Sequence, residues 1–292
     1  MKFKDIYKQQ NNSVKNFPVI SFEVFPPKDP EKNSLLIKEL QNLMQYNPQV
    51  ISVTYGAAGT GRENSINLVR LLKNNFDISI MPHFTCINAS KNSVENYLNE
   101  ISNMDIKNIL ALRGDIPNGE NITNSDFQYA NMLVEFIKSK SNLNIAVAGY
   151  PEGHIESENL DADIKNLKKK IEAGAEIIYT QLFFENSYFE KYLEKLRNAG
   201  INVPVIPGIL PITGYNQLKK MTSLCKVTLP EALLSNLEKH KNSPDDIKKI
   251  GIEYAINQVN ELKKYNLSGF HFYILNKAFP TKTILEEVLK QN

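Results

Sequence analysis

Ser21-Phe-Glu-Val-Phe-Pro-Pro-Lys28 reads as the end of a buried strand. Val19 and Ile20 precede it, and Phe22, Val24 and Phe25 surround a lone carboxylate. Pro26 and Pro27 must stop the strand, because a proline has no N–H to give to a ladder. A strand of this kind delivers Glu23 to the edge of an apolar environment, where a carboxylic acid is a candidate general acid. The plain alternative is a glutamate that pairs with a neighbouring base, and the remainder of the chain has to decide between them.

Outward from this stretch, apolar runs rich in Ile, Val, Phe and Tyr recur. Together with the first, at 18–25, they lie at 50–55, 78–86, 108–113, 144–150, 176–184, 203–209 and 269–275. Between them lie amphipathic helical patterns such as 31–46, 63–76, 93–104, 127–140, 163–173 and 188–198. Asp161 is read as the cap of the fifth helix, and Gly174 and Gly200 as the stops after the fifth and sixth. Strand and helix in strict alternation demand a parallel sheet with crossover helices, and eight repeats favour an α/β fold closed as a (β/α)8 TIM barrel. A doubly wound open sheet is the alternative. Three helical patterns, at 213–225, 230–240 and 244–265, precede the final strand, which predicts extra helices before it. No proline- or glycine-rich linker divides the chain, so residues 1–292 are expected to form a single domain.

Charge excludes some functions. Thirty-four basic against 32 acidic residues leave a net +2, too little for a broad field that would favour nucleic acid or anionic lipid, and small-molecule chemistry is the better expectation. Cys86 and Cys225 show no metal-ligand or redox spacing, which suits a reducing cytoplasm. The first eight residues lack the apolar core of a signal peptide, and no segment has the roughly 18 apolar residues of a membrane span.

The active site of a barrel lies at the C-terminal ends of its strands. Those ends carry Glu23, Thr54 and Tyr55, His83 and Thr85, Arg113-Gly114-Asp115, Tyr150 with His154, Gln181, and Tyr273 with Asn276 and Lys277. Polar and aromatic groups on seven of eight ends suit a substrate pocket on a rigid apolar wall. The four histidines, 83, 154, 240 and 271, stand singly in the chain, so no metal centre is expected. No strand interior offers a lysine for Schiff-base chemistry. Gly56-Ala-Ala-Gly-Thr-Gly61 matches neither dinucleotide nor Walker spacing and reads equally as a tight turn or a cofactor-side loop. In Asp161-Ala-Asp-Ile-Lys-Asn-Leu-Lys-Lys-Lys170, helical spacing gathers Asp163, Asn166 and Lys170 on one side with Lys169 adjacent. Such a face is ordinarily solvated surface, yet directly after Tyr150-Pro-Glu-Gly-His154 it could hold a diphosphate.

Phe22-Glu-Val-Phe-Pro-Pro27, Val53-Thr-Tyr-Gly-Ala57, His83-Phe-Thr-Cys86, Leu112-Arg-Gly-Asp115, Tyr150-Pro-Glu-Gly-His154, Pro207-Gly-Ile-Leu-Pro211 and His271-Phe-Tyr-Ile-Leu-Asn276 occur in this order. By these motifs the chain resembles the bacterial methylenetetrahydrofolate reductases through nearly its whole length. The resemblance implies a catalytic barrel without the regulatory domain of eukaryotic relatives. It also implies noncovalent FAD, reduced by NADH or NADPH, and a ping-pong hydride transfer that turns 5,10-methylenetetrahydrofolate into 5-methyltetrahydrofolate for methionine synthesis. A cytoplasmic homo-oligomer follows as the expected form. Carried over residue by residue, Glu23 resembles the general acid that opens the folate ring, Asp115 the aspartate that contacts the pterin and tunes the flavin, and Gln181 a folate-contacting glutamine. Thr54, His83, Arg113, Gly114, Tyr129, Ala130, Ala148, Tyr150, His154, Asp163, Asn166, Lys169 and Lys170 match the flavin-binding positions, which Asp115 joins.

Tyr215, Tyr273 and Lys277 fall at substrate-binding positions. Tyr215 stands where the family commonly has a stacking phenylalanine, and Lys277 and Lys169 each replace an arginine, so their contacts lose the planar fork. Two other classes share parts of this pattern. A flavin-dependent barrel such as a proline dehydrogenase would not explain Glu23, Asp115 and Gln181 together, and a folate-binding methyltransferase would have no use for the dinucleotide positions.

Overall fold

The computed structural model describes residues 1–8, 18–56, 61–115 and 125–290. Eight strands, β1 (Val19–Val24), β2 (Val50–Val53), β3 (Ser79–Thr85), β4 (Asn108–Leu112), β5 (Asn144–Gly149), β6 (Ile177–Leu182), β7 (Val205–Ile209) and β8 (Gly269–Tyr273), pair in parallel and in chain order. The last closes on the first, with Glu23 opposite Tyr273 in one register and Ser52 in the other. This is the closed barrel that the alternation predicts. Each strand falls inside its predicted run, because strands buried on both faces are continuous apolar stretches with sharp polar ends.

Side chains alternate across each strand. Outward residues such as Phe22, Val24, Ile51 and Val53 meet the apolar stripes of a helical ring. That ring is α2 (Asn33–Met44), α3 (Arg62–Asn75), α4 (Lys91–Asn103), α5 (Ala130–Lys140), α6 (Leu160–Glu172), α7 (Asn186–Asn198), α10 (Pro244–Leu262) and α11 (Phe279–Lys290). Leu36, Leu40 and Leu43 of α2 lie at helical spacing and are almost fully buried, contributing roughly 1.5–3 kcal/mol each. The fifth crossover helix starts earlier than predicted. Its cap is Asn159, whose Oδ1 accepts from the Ala162 N–H at 2.9 Å, while Asp161 lies inside the first turn and pairs with Lys195 of α7 at 2.6 Å. Both are short acceptors next to an apolar run, and only the backbone path selects one.

Between β7 and β8 the chain inserts α8 (Tyr215–Cys225) and α9 (Glu231–Lys239), and α10 is the crossover that packs beside α7 and α11. The insert has its own apolar cluster, with Leu218, Leu233, Leu237 and Ile247 against Leu210 and Ile212 of the loop after β7. At the opposite end, a helix absent from the sequence reading, α1 (Phe3–Lys8), plugs the barrel. Phe3, Ile6 and Tyr7 pack on the inward residues Val19, Val50, Met81 and Tyr179, and Asn108 ties the plug down through the Phe3 N–H and the Met1 carbonyl. One end of the barrel is therefore sealed, and the other is free to carry a site.

Candidate active site at the strand ends

Period-two alternation points Ser21 and Glu23 of β1, His83 of β3 and His271 and Tyr273 of β8 into the barrel. Closure then brings together what the chain keeps apart. The Glu23 carboxylate lies 3.8 Å from Nε2 of His83 and 3.8 Å from Nε2 of His271, and both imidazoles are buried. Burial pushes the His83 imidazole down to about 4, against the pull of Glu23 and with help from His271. His83 is therefore neutral near pH 7, and its approach to Glu23 is no ion pair. Its Nε2 is buried without a hydrogen-bond partner.

Ser21 Oγ lies 3.1 Å from the Phe270 carbonyl and 2.9 Å from Nδ1 of His271. With the Ser21 proton on that carbonyl, Nδ1 of His271 is the donor to Ser21 Oγ. The ring of His271 stands edge-on to Tyr179 and Tyr273, at centroid distances of 5.0 and 5.2 Å. Below it the Tyr179 and Tyr7 hydroxyls meet at 2.6 Å. The environment of Glu23 is thus an aromatic and imidazole cage more than the purely apolar edge expected. Sequence reasoning left His271 and Ser21 unassigned, although each shares the parity of an inward neighbour, Tyr273 and Glu23.

Tyr55 leaves the predicted ring. It has the opposite parity from Thr54 and packs outward on Phe84 and Tyr97, with centroids 4.8 and 5.8 Å away. Thr54 remains at the end of β2, its N–H donating to the Val24 carbonyl at 3.0 Å. Residues 57–60 of the glycine-containing loop lie outside the described residues.

At the ends of β4 and β5 the groups are ionic. The Arg113 guanidinium donates to Glu156 Oε1 at 2.6 Å and also contacts Oε2, which holds the Glu156 carboxyl below the usual carboxylate range. Glu156 was not foreseen, because it lies in a loop without periodicity. Gly114 follows with φ +89°, and a Cβ there would come within 2.8 Å of Ile87 Cγ2, so this turn requires glycine. Asp115 is exposed at the rim, close enough to Arg113 and Tyr150 to influence both electrostatically. Tyr150 is edge-on to His154 at 4.7 Å, and Nδ1 of His154 accepts from the Glu156 N–H at 3.1 Å.

Lys170 of α6 reaches the Ala148 carbonyl at 3.2 Å. Desolvation lowers its pKa, and buried Asp163 opposes that shift. Asn166 and Lys169 are exposed and linked at 3.3 Å. Tyr129 caps α5 and is exposed, with Ala130 buried beside it.

Gln181 sits in a bulge. The register runs from Tyr179 opposite Ile206 to Leu182 opposite Gly208, one residue more on β6 than on β7. The Tyr273 hydroxyl donates to the carbonyl of Thr180 in that bulge at 2.7 Å, leaving the ring rather than the hydroxyl at the mouth. Tyr273 also lines a small hollow of about 50 Å³ with Pro211, Thr213, Gln217, exposed Lys277 and Thr281. This hollow adjoins the Glu23 cage from the β7 and β8 side. Tyr215 is held within the insert, its hydroxyl 3.2 Å from Glu238 and its ring under Lys219. Asn276 does not face the pocket; its amide binds the Phe25 backbone. Among the described residues no group of three or more His, Cys, Asp or Glu is arranged to hold a metal ion, and no helix is long and apolar enough to cross a membrane.

The methylenetetrahydrofolate reductase family profile matches residues 7–289. The chain is 33% identical over 275 residues to 5,10-methylenetetrahydrofolate reductase of Escherichia coli, covering 94% of this chain and 92% of that protein. It is 34% identical over 270 residues to methylenetetrahydrofolate reductase (NADH) 1 of Arabidopsis thaliana, covering 88% of this chain and 46% of the plant protein. Among solved structures, an uncharacterized Clostridium thermocellum protein that binds two copies of 5-methyl-5,6,7,8-tetrahydrofolic acid has the same fold. The TM-score is 0.72 at 15% identity, over 98% of each chain. With the profile spanning nearly every strand end described above, the chain belongs to the methylenetetrahydrofolate reductase family.

Proposed function

We propose that the protein reduces 5,10-methylenetetrahydrofolate to 5-methyltetrahydrofolate with hydride drawn from NADH or NADPH through bound FAD, the two substrates using one site in turn. The product supplies methyl groups for methionine synthesis. The observation that carries this reading is Glu23 at the open end of the barrel, where, among the described residues, two buried imidazoles are the groups that an ion-pair distance brings to its carboxylate. A catalytic role for the whole barrel and a cytoplasmic setting belong to the same reading, the latter supported by Cys86 and Cys225 being free thiols.

The residues at the β3 to β6 ends fit a flavin dinucleotide. His83 has an orphaned buried Nε2, and Arg113, Lys169 and Lys170 supply positive charge suited to a diphosphate. Glu156 takes the Arg113 fork, as an anion would. Thr54, His83, Arg113, Gly114, Asp115, Tyr129, Ala130, Ala148, Tyr150, His154, Asp163, Asn166, Lys169 and Lys170 would hold the cofactor. When bound, it supplies the hydride acceptor and donor.

Glu23 gives its proton to a ring nitrogen of the folate, so that the imidazolidine ring opens and its one-carbon unit becomes electrophilic. His83, neutral, cannot compete as a cation for the Glu23 carboxylate. Asp115 and Gln181 accept and donate along the pterin edge, Tyr215 and Tyr273 offer ring faces, and Lys277 meets the polar tail at the mouth. The test is anaerobic reduction of the bound flavin by each nicotinamide, then reoxidation with methylenetetrahydrofolate. In Glu23→Gln the first half-reaction should be spared and the second should fall by roughly 10²–10⁴-fold. A protein that purifies without flavin, or a variant in which both steps slow equally, would overturn the reading.

A further inference from the structure

Two consecutive residues after β8, Leu275 and Asn276, have left-handed backbone angles, φ 49° and 58°. Asparagine adopts that conformation readily and leucine does not, so the turn is held against the preference of Leu275. What holds it lies on the β1 side of the barrel. The Phe25 N–H donates to Asn276 Oδ1 at 3.0 Å, and Asn276 Nδ2 donates to the Phe25 carbonyl at 2.7 Å. A third bond runs from the Ala278 N–H to Glu39 Oε2 of α2 at 2.7 Å, while the Lys277 N–H closes the turn on the Ile274 carbonyl at 2.9 Å.

The backbone ladder between β1 and β8 ends at Glu23 opposite Tyr273. Beyond it, Phe25 is the last residue before Pro26 and Pro27 able to offer an N–H, and Pro26 also restricts Phe25 to extended geometry. The Asn276 side chain therefore replaces the missing rung, two residues past the carboxylate. A carboxamide can bind the N–H and the carbonyl of one residue at once, whereas a carboxylate can accept but not donate.

We propose that Asn276 is a positioning residue for Glu23. Its two-point clamp on the Phe25 backbone fixes the end of β1 and, with it, the aim of the Glu23 carboxylate between His83 and His271. The inference rests on Glu23 acting as the acid of the folate step. It also explains why a half-buried turn residue sits in strained company: the same turn sets the direction in which Lys277 leaves the barrel.

Two variants of the flavin-loaded protein test it. Asn276→Asp keeps the left-handed preference and the acceptor but loses the donor, and Asn276→Gly frees the backbone and removes the clamp. Amide hydrogen exchange at Phe25, which needs no activity, should accelerate about tenfold in the glycine variant and less in the aspartate variant. Flavin content and flavin reduction by nicotinamide should stay within about twofold of the parent. Folate-dependent reoxidation should fall on the order of 10- to 100-fold, more in glycine than in aspartate. Unchanged exchange at Phe25, an unchanged folate step, or equal slowing of both half-reactions would overturn the proposal. Absence of folate-dependent reoxidation in the parent protein would instead remove the assigned function, and the clamp on β1 would then stand or fall by the Phe25 exchange.

Discussion

The neutral state of His83 beside Glu23 has a measurable consequence for stability. Three influences act on this imidazole: burial lowers its pKa most, Glu23 raises it, and His271 lowers it, with the outcome about 4 against an ordinary 6.5. A folded value below the unfolded one means that the unfolded chain binds the proton first as pH falls. The neutral imidazole thus contributes stability that is fully present above about pH 6.5 and is lost as pH falls toward 4. The whole window is worth about 3 kcal/mol, and about 2 kcal/mol of that disappears between pH 7 and pH 5. Other groups also titrate there, so the useful quantity is a difference. Chemical denaturation of the protein and of His83→Asn, at intervals from pH 7 to pH 5, should show the stability gap between them narrowing by about 2 kcal/mol. Should the variant fail to fold, the ring resonances of His83 in the parent protein give the same answer by titration. A gap that stays constant or widens as pH falls, or a ring that protonates near pH 6.5, would show that Glu23 outweighs burial and that the pair is ionic.

Other expectations concern the pocket and its walls. Asp115→Asn should raise the flavin midpoint potential in a spectroelectrochemical titration, because a carboxylate beside the flavin disfavours its anionic reduced form. It should also weaken folate binding by roughly 10- to 100-fold as a charged hydrogen bond is lost. Lys277→Ala, at an exposed position, should raise a substrate KM by about 10-fold with kcat and flavin content unchanged, whereas Lys277→Arg should match or improve on the parent. Loss of flavin from the alanine variant would place Lys277 with the cofactor instead. Gly208→Ala would set a Cβ 2.5 Å from the Thr180 carbonyl and 2.6 Å from the Tyr273 ring. It should cost about 1–3 kcal/mol in denaturant unfolding and displace Tyr273; an unperturbed Tm would contradict the packing.

The barrel itself was legible in the chain. Strands buried on both faces leave continuous apolar runs, helices leave a 3.6-residue stripe, and both signals are local, so β1 to β8 fall within their predicted ranges. The end of β1 was legible for the same reason, since Pro26-Pro27 must stop that strand. Local chemistry was less decisive where two neighbours could play one part, as with Asn159 and Asp161 at the start of α6.

What the tertiary structure decided is which of those residues meet. His83 and His271 lie singly in the sequence and far from Glu23, and only closure of β8 on β1 sets both imidazoles 3.8 Å from one carboxylate. The α1 plug depends on Asn108, far along the chain. The extra residue in β6 at Gln181 shows only against β7, because a bulge is a property of two paired strands and not of either alone. Asn276 reads as one more polar group at a strand end until its amide is found on the backbone of Phe25. Period and composition fix the direction and burial of a side chain relative to its own element; partners across the barrel depend on strand order, closure and register, which are set by packing among all eight repeats together.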